Sequence, residues 1–259
     1  MMQPQSPPPP LSLTGRTALV TGAGKGLGRA SALALAAAGA DVAVLARTAS
    51  DIARVAGEIE ALGRRALPLV ADATRSADVD AAVEKVMAAF GAIDVLVHSV
   101  GRSLRKPVLS LSDAEWTGLI AANLDSTFFV CRAVGRQMVA QGRGSIINIA
   151  SAAGLRGRPT NAPYSAAKAG VINLSRAMAM EWAPHKVRVN VLAPGRFLTP
   201  LTEPEMSDPA KYAAFIKQVP LGRIGQPEEL KDIVLWLASD ASAFATGSVI
   251  VIDGGQTLL

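Results

Sequence analysis

Tyr164-Ser165-Ala166-Ala167-Lys168 sets a phenol and an ammonium four residues apart within a segment of helical pattern. On a helix that spacing places both on one face, one turn from each other. A tyrosine with an ordinary pKa near 10 is a poor base at neutral pH, and a neighbouring positive charge favours its phenolate. So tuned, Tyr164 can take a proton from an alcohol or give one to a ketone oxygen. The pair alone is a common chance pattern on helices; its surroundings add weight. Ser151 stands upstream, just past an apolar strand run, where a hydroxyl can hold a substrate oxygen. Asn123 lies inside a long helical pattern, an odd interior residue because its side chain competes with the backbone for hydrogen bonds.

A second group of residues suits a phosphate. Thr21-Gly22-Ala23-Gly24-Lys25-Gly26-Leu27-Gly28 follows the first strand run and opens the first helical one. Glycines at Gly22, Gly24, Gly26 and Gly28 let the chain turn tightly and let a pyrophosphate approach the amides of a helix N-terminus. With a strand before, a helix after and a further strand within about 30 residues, this is the context of a dinucleotide site rather than of an ordinary glycine-rich turn. An acidic residue at the end of the second strand would bond the free 2′-hydroxyl of NAD. Here Leu45-Ala46-Arg47-Thr48 carries no carboxylate. Charge-assisted hydrogen bonds from Lys25 and Arg47 to a 2′-phosphate are worth roughly 1.5–3 kcal/mol each, so NADP is expected over NAD. The plainer alternative is two solvated surface charges.

Elements must hold these residues in place. Short apolar runs occur at Thr17–Val20, Val42–Leu45, Ala66–Val70, Ile93–Val97, Ser145–Ile149, Val187–Leu192 and Ser248–Ile252, nearly all apolar on both faces. Helical patterns separate them at Gly26–Ala38, Asp51–Leu62, Ala77–Phe90, Asp113–Ala140, Tyr164–Ala183 and Pro227–Ala238, with Gly39, Gly63, Gly91 and Gly142 as stops. The alternation predicts an α/β fold, a single-domain, Rossmann-type, doubly wound parallel sheet of about seven strands with helices on both faces. Right-handed crossovers put the ligand crevice at the carboxyl ends of the strands, where the winding reverses. Residues 194–226 break the rhythm with several prolines and a short helical pattern around Ala210–Gln218, as a substrate loop does. Residues 1–12 are expected to form a disordered, proline-rich tail, leaving 13–259 as the single dinucleotide-binding and catalytic domain.

The glycine register, Gly-x-x-x-Gly-x-Gly, resembles that of the short-chain dehydrogenase/reductase family. Asn123, Ser151, Tyr164 and Lys168 match that family's catalytic tetrad in order and spacing. The resemblance implies hydride transfer between a nicotinamide and a carbonyl carbon, with Tyr164 handling the proton and Asn123 supporting a water-mediated path to Lys168. It also implies that Asp72 meets the adenine amino group, and that Ser99 and Gly101 touch the cofactor ribose. Tyr164 and Lys168 border the cofactor, and Pro194-Gly195-Arg196-Phe197-Leu198-Thr199 reaches the carboxamide through the Phe197 backbone and the Thr199 hydroxyl. Of the family's Asn-Asn-Ala-Gly at the fourth strand end, only Gly101 is kept: His98, Ser99 and Val100 depart from it, and His98 reads as a braced rather than a catalytic histidine. Asp253-Gly254-Gly255 again follows the family, so the similarity runs from about Leu13 to the C-terminus. A homotetramer built on the Asp113–Ala140 and Tyr164–Ala183 helices is the family's usual assembly.

Composition narrows the function. The 259 residues are half hydrophobic and 18% charged, which excludes disorder over most of the length. A net charge of +5 is spread along the chain with only 4% aromatics, against a nucleic-acid surface. Cys131 alone and two distant histidines, His98 and His185, give no disulfide framework and no metal site. Trp116, Trp182 and Trp236 read as packing residues, and Cys131 as a buried small hydrophobe. No run is long enough for a membrane span, and a cytoplasmic protein is expected.

Arg102, Arg105 and Lys106 after the fourth strand, with Arg156 and Arg158 after Ser151, lean toward a small polar or anionic substrate. Solvated arginines or subunit contacts are the alternative. The segment Arg176–Ala183, together with the Pro194–Thr202 loop, resembles the gluconate 5-dehydrogenase branch, implying a sugar acid or keto acid. A 3-oxoacyl-(acyl-carrier-protein) reductase is the competing reading, and a non-catalytic dinucleotide sensor a third.

Overall fold

The computed structural model describes residues 11–203 and 207–259. Among them seven strands form one parallel sheet in the order β3-β2-β1-β4-β5-β6-β7. They are β1 (Thr17–Thr21), β2 (Asp41–Ala46), β3 (Ala66–Val70), β4 (Val95–His98), β5 (Gly144–Ile149), β6 (Val187–Pro194) and β7 (Val249–Ile252). The central strands are apolar on both faces because helices cover both: Leu19, Val20, Leu96, Val97, Ile146 and Ile147 are all fully buried. One core lies under α1 (Gly26–Ala37) and α2 (Ala49–Ala61), around Leu35, Val55 and Ile59. The other lies under α3 (Ser76–Phe90), α5 (Ser126–Gln141) and α6 (Ala162–Trp182), around Val83, Val134 and Met138. The order reverses between β1 and β4, where Thr21 pairs with His98, so the strand ends open a crevice there.

The doubly wound sheet, its strand count and its single domain are as the alternating pattern predicts. Gly91 and Gly142 close α3 and α5 in the left-handed conformation that glycine adopts without strain.

The long helix expected over Asp113–Ala140 is interrupted. An α-helix, α4 (Asp113–Ile120), passes through one π-turn at Ala121–Asp125 before α5 begins. Side chains supply the reason. Asn123 Nδ2 donates to the Leu119 carbonyl at 2.9 Å, Ser126 Oγ to Ala122 at 2.8 Å and Thr127 Oγ1 to Asn123 at 3.2 Å. Three polar side chains in five residues contest the backbone ladder, and a widened turn accommodates them. Pro227–Leu230 likewise forms a tight 3₁₀ turn ahead of α8 (Lys231–Ala238) instead of the first helical turn.

Within the irregular stretch, Asp208 caps α7 (Pro209–Ile216), accepting from the amides of Ala210 and Lys211 at 3.0 and 3.2 Å. Phe215, Val219 and Ile224 make a small core of their own beneath it. Residues 1–10 of the expected tail lie outside the described residues; Leu13 is buried in the main core.

Candidate active site

A cleft of about 580 Å³ follows the strand ends at the β1–β4 reversal. Gly22, at φ +68°, begins its floor, and a Cβ there would sit 2.6 Å from the Ser99 carbonyl oxygen, so the two strand ends touch through bare backbone. Gly24, Lys25, Gly26 and Leu27 continue the wall. Gly28 does not line the cleft; it turns inward, where any Cβ would strike the Gly22 carbonyl. Its role is helix–strand packing. At α1 the N-terminal residue Lys25 gives no side-chain cap, and the first turn holds no acidic residue. The first amides of α1 therefore face the cleft with the positive end of the helix dipole and no internal anion, which fits the pyrophosphate of a dinucleotide.

At the far end Arg47 is exposed beside the cleft, and Lys25 Nζ makes an ion pair with Asp51 Oδ2 at 3.1 Å. Sequence reading missed Asp51, one of many carboxylates in first helical turns. Asp72 also lines the cleft, its Oδ1 accepting from Thr74 N at 3.0 Å and Thr74 Oγ1 at 2.8 Å. Burial pushes this carboxyl up, yet those bonds and the nearby Arg47 and Arg75 hold it below its ordinary value. Ser99, Gly101, Pro194, Gly195, Phe197 and Thr199 complete the lining. Phe197 is held from behind by Thr202, whose Oγ1 donates to its carbonyl.

The cleft ends at Ser151, Tyr164 and Lys168. Gly154 packs so closely on α6 that a Cβ would lie 2.7 Å from the Lys168 carbonyl carbon, fixing the turn after β5, with Ser151, against that helix. Lys168 is buried, and its Nζ donates to the Ile149 carbonyl at 2.9 Å while standing 5.8 Å from the Tyr164 ring centre. Burial lowers its pKa to about 8. The Tyr164 phenol, expected to be lowered by the ammonium, is instead raised by burial, with a hydrogen bond to Ser151 opposing the rise. The ammonium is turned toward Ile149 and is itself desolvated, so it does not offset the burial of the phenol.

Asn123 does not reach the cleft surface. It is fully buried behind the wall, its Nδ2 donating to the Arg102 carbonyl at 2.8 Å and its Oδ1 accepting from Arg102 N at 3.2 Å. Gly101 brings the tetrad together: a Cβ on it would lie 2.8 Å from Asn123 Oδ1 and 3.4 Å from Lys168 Nζ. His98 is buried and braced as expected, with Nδ1 2.8 Å from Thr21 Oγ1 and Nε2 3.4 Å from Ser126 Oγ. Burial first, then the Lys168 charge, lowers its pKa to about 3.

A second chamber of about 310 Å³ opens on the other side of Ser151 and Tyr164. Arg105 and Arg158 line it, whereas Arg102 lines the cofactor cleft and Lys106 is held by Glu115 at 2.7 Å. Arg156 borders an outer hollow that continues from this chamber. Arg196, Asn161 and Gln256 also line the chamber and carried no signal in the sequence, because they come from three distant segments. Cys131 is buried, and burial pushes its thiol up to about 12. Trp182 packs on Gly135, but Trp116 is 44% exposed and is not a packing residue within this chain. Among the described residues no grouping of side chains could hold a metal ion, and no helix is long and apolar enough to cross a membrane.

The family described as enoyl-(acyl carrier protein) reductase matches residues 22–257. The chain is 40% identical over 256 residues to gluconate 5-dehydrogenase of Gluconobacter oxydans, covering 98% of this chain and 99% of that one. It is 38% identical to a 3-oxoacyl-(acyl-carrier-protein) reductase of Thermotoga maritima, over 96% and 100% of the two chains. A gluconate 5-dehydrogenase from Burkholderia cenocepacia J2315, solved in complex with NADP and tartrate, superposes with a TM-score of 0.93 at 39% identity, covering 96% and 98%. With the glycine-lined cleft, the buried Lys168 and the Tyr164–Ser151 contact at its end, these similarities establish that the chain belongs to the short-chain dehydrogenase/reductase family and is an oxidoreductase acting on CH–OH groups.

Proposed function

We propose that the protein interconverts a secondary alcohol and a ketone with NADP(H), acting on a small polar acid of the sugar-acid or keto-acid type. The observation that carries this reading is the joining of two spaces at Ser151 and Tyr164: a dinucleotide cleft on one side and an arginine-lined chamber on the other. A bound nicotinamide would supply or accept the hydride. Ser151 holds the substrate oxygen, Tyr164 exchanges a proton with it, and Lys168 with Asn123 connects that proton to water. The α1 amides and the glycines receive the pyrophosphate, Lys25 and Arg47 the 2′-phosphate, and Asp72 the adenine. Ser99 and Gly101 border the ribose, and Pro194, Gly195, Phe197 and Thr199 the carboxamide.

NADP is supported by the missing carboxylate at the end of β2 and by NADP in structurally similar relatives, including a gluconate 5-dehydrogenase and a protein from Agrobacterium tumefaciens. Exposed Trp116 on α4, Phe128 on α5 and Met180 on α6 support a homotetramer through those helices. We place the enzyme in the cytoplasm. The 38% identity to a carrier-protein reductase keeps a second reading in view, reduction of a 3-oxoacyl thioester.

Purified protein assayed with NADPH and NADH over 5-ketogluconate, neutral ketoses, diketones and acetoacetyl thioesters decides between them. NADPH-specific turnover of the keto acid is expected. Turnover of the thioester alone would move the protein to the second reading, and NADH preference would overturn the 2′-phosphate assignment.

A further inference from the structure

Arg158 is a partly buried cation with no ion partner among the described residues. Its guanidinium makes no hydrogen bond or ion pair among the described residues, although it lines the chamber that Ser151 and Tyr164 open into. Burial lowers its pKa, and Arg196, Arg105 and Arg156 push in the same direction; Asp253 is the charge that opposes them. Asp253 is committed elsewhere, its two oxygens accepting from Gly255 N at 2.9 Å and Thr257 N at 2.7 Å. A partly desolvated guanidinium is stabilised by an anion that binds beside it.

Gln256 lines the same chamber from the C-terminal segment. It is 5% exposed, and its buried Nε2 has no hydrogen-bond partner. An unpaired buried amide donor is unfavourable, and an oxygen acceptor from a ligand would satisfy it. A cation with no partner among the described residues and an unpaired buried donor thus line one chamber that also exposes the reacting residues. At about 310 Å³ the chamber is at the small end of ligand sites.

We infer that Arg158 and Gln256 form the receptor for an anionic carboxylate group on the substrate, and so set the enzyme's preference for acids over neutral ketones and alcohols. This rests on the keto-acid reading above and names the residues that enforce it. Neither residue belongs to the proton-transfer group, so the pair acts on selection rather than on chemistry.

The experiment compares wild type, Arg158→Gln, Arg158→Lys and Gln256→Leu, each checked for native circular dichroism. The first readout is kcat/KM with NADPH for 5-ketogluconate divided by that for a neutral ketose of equal chain length. That ratio should fall about 10–100-fold in Arg158→Gln, recover in part in Arg158→Lys, and fall about 5–20-fold in Gln256→Leu. An equal loss on both substrates, or no loss, overturns the proposal. The second readout needs no turnover: calorimetric binding of gluconate to the NADP⁺-loaded protein. Binding by wild type that is weakened at least tenfold in Arg158→Gln supports the receptor even if 5-ketogluconate is not reduced, in which case the substrate reading alone has failed. Unchanged binding in the variant, or no binding by wild type, overturns the receptor. Should Arg158→Gln not fold, Arg158→Lys and Gln256→Leu carry both readouts.

Discussion

Burial raises the Tyr164 phenol and brings the Lys168 ammonium down to about 8, so the two proton-bearing groups move apart in acidity and the ammonium becomes the more acidic of the pair. Replacing Tyr164 by Phe should lower turnover by at least about three orders of magnitude while cofactor binding, followed by quenching of tryptophan fluorescence, stays within a factor of a few. Unchanged turnover would remove Tyr164 from its role. Because alcohol oxidation needs the phenolate and ketone reduction the phenol, oxidation should gain rate with rising pH and reduction should lose it. A kcat/KM profile measured in both directions checks this. The four residues proposed for proton transfer are named in the sequence through the family resemblance, their spacing adding to it. Their electrostatic environment could not be read there, since burial depends on what the fold places around Tyr164. At the other end of the cleft, Arg47→Ala should raise the KM for NADPH about tenfold or more and leave that for NADH nearly unchanged, as initial rates with each cofactor would show.

At the scale of elements, the central strands were legible because a strand covered on both faces must be apolar throughout. Helices α1, α2, α3 and α5 were legible because glycines follow them; the edge strands β3 and β7 are partly exposed. The π-turn at Ala121–Asp125 was not legible. Its cause is three side-chain bonds back to the chain, and those depend on which polar groups find an outside partner. Asn123 signalled the anomaly, yet it is the Arg102 backbone across the wall that holds it there. Nor were Arg196 and Gln256 legible as parts of the chamber, because no local pattern brings β6, the C-terminal turn and the segment after β5 together. The contact of α1 with β1 is also an element-scale constraint. Gly28→Ala would drive a methyl into the Gly22 carbonyl, and it should destabilise the fold by about 2–4 kcal/mol or prevent soluble expression. Urea unfolding of the variant against wild type measures it; a loss below about 0.5 kcal/mol would mean the turn relaxes freely.

For the molecule as a whole, His98 ties stability to pH. Its folded pKa of about 3 lies below the ordinary 6.5, so between those values the unfolded chain binds a proton that the native chain excludes. Stability therefore falls as pH drops through that window. His98→Asn, which keeps a polar side chain between Thr21 and Ser126, should flatten the loss between pH 6.5 and 4; denaturant titrations at several pH values give the slope. An unaltered slope would assign acid sensitivity to other groups. Assembly belongs to this scale too. Trp116, Phe128 and Met180 are exposed on this chain, so light scattering should report a tetramer, and charged replacements at Phe128 and Met180 should split it into smaller species.

Gly101 shows how an active site can depend on space that nothing occupies. It offers no group to the reaction, but any side chain there would press on Asn123 and crowd Lys168. A library of every amino acid at this position, screened for activity, would report a profile as intolerant as that of a proton donor. Such intolerance would mark room that must stay open, and no chemical role should be read into it. No functional group placed at Gly101 would restore activity, and shortening Asn123 to make room would remove a residue the proposed proton path uses.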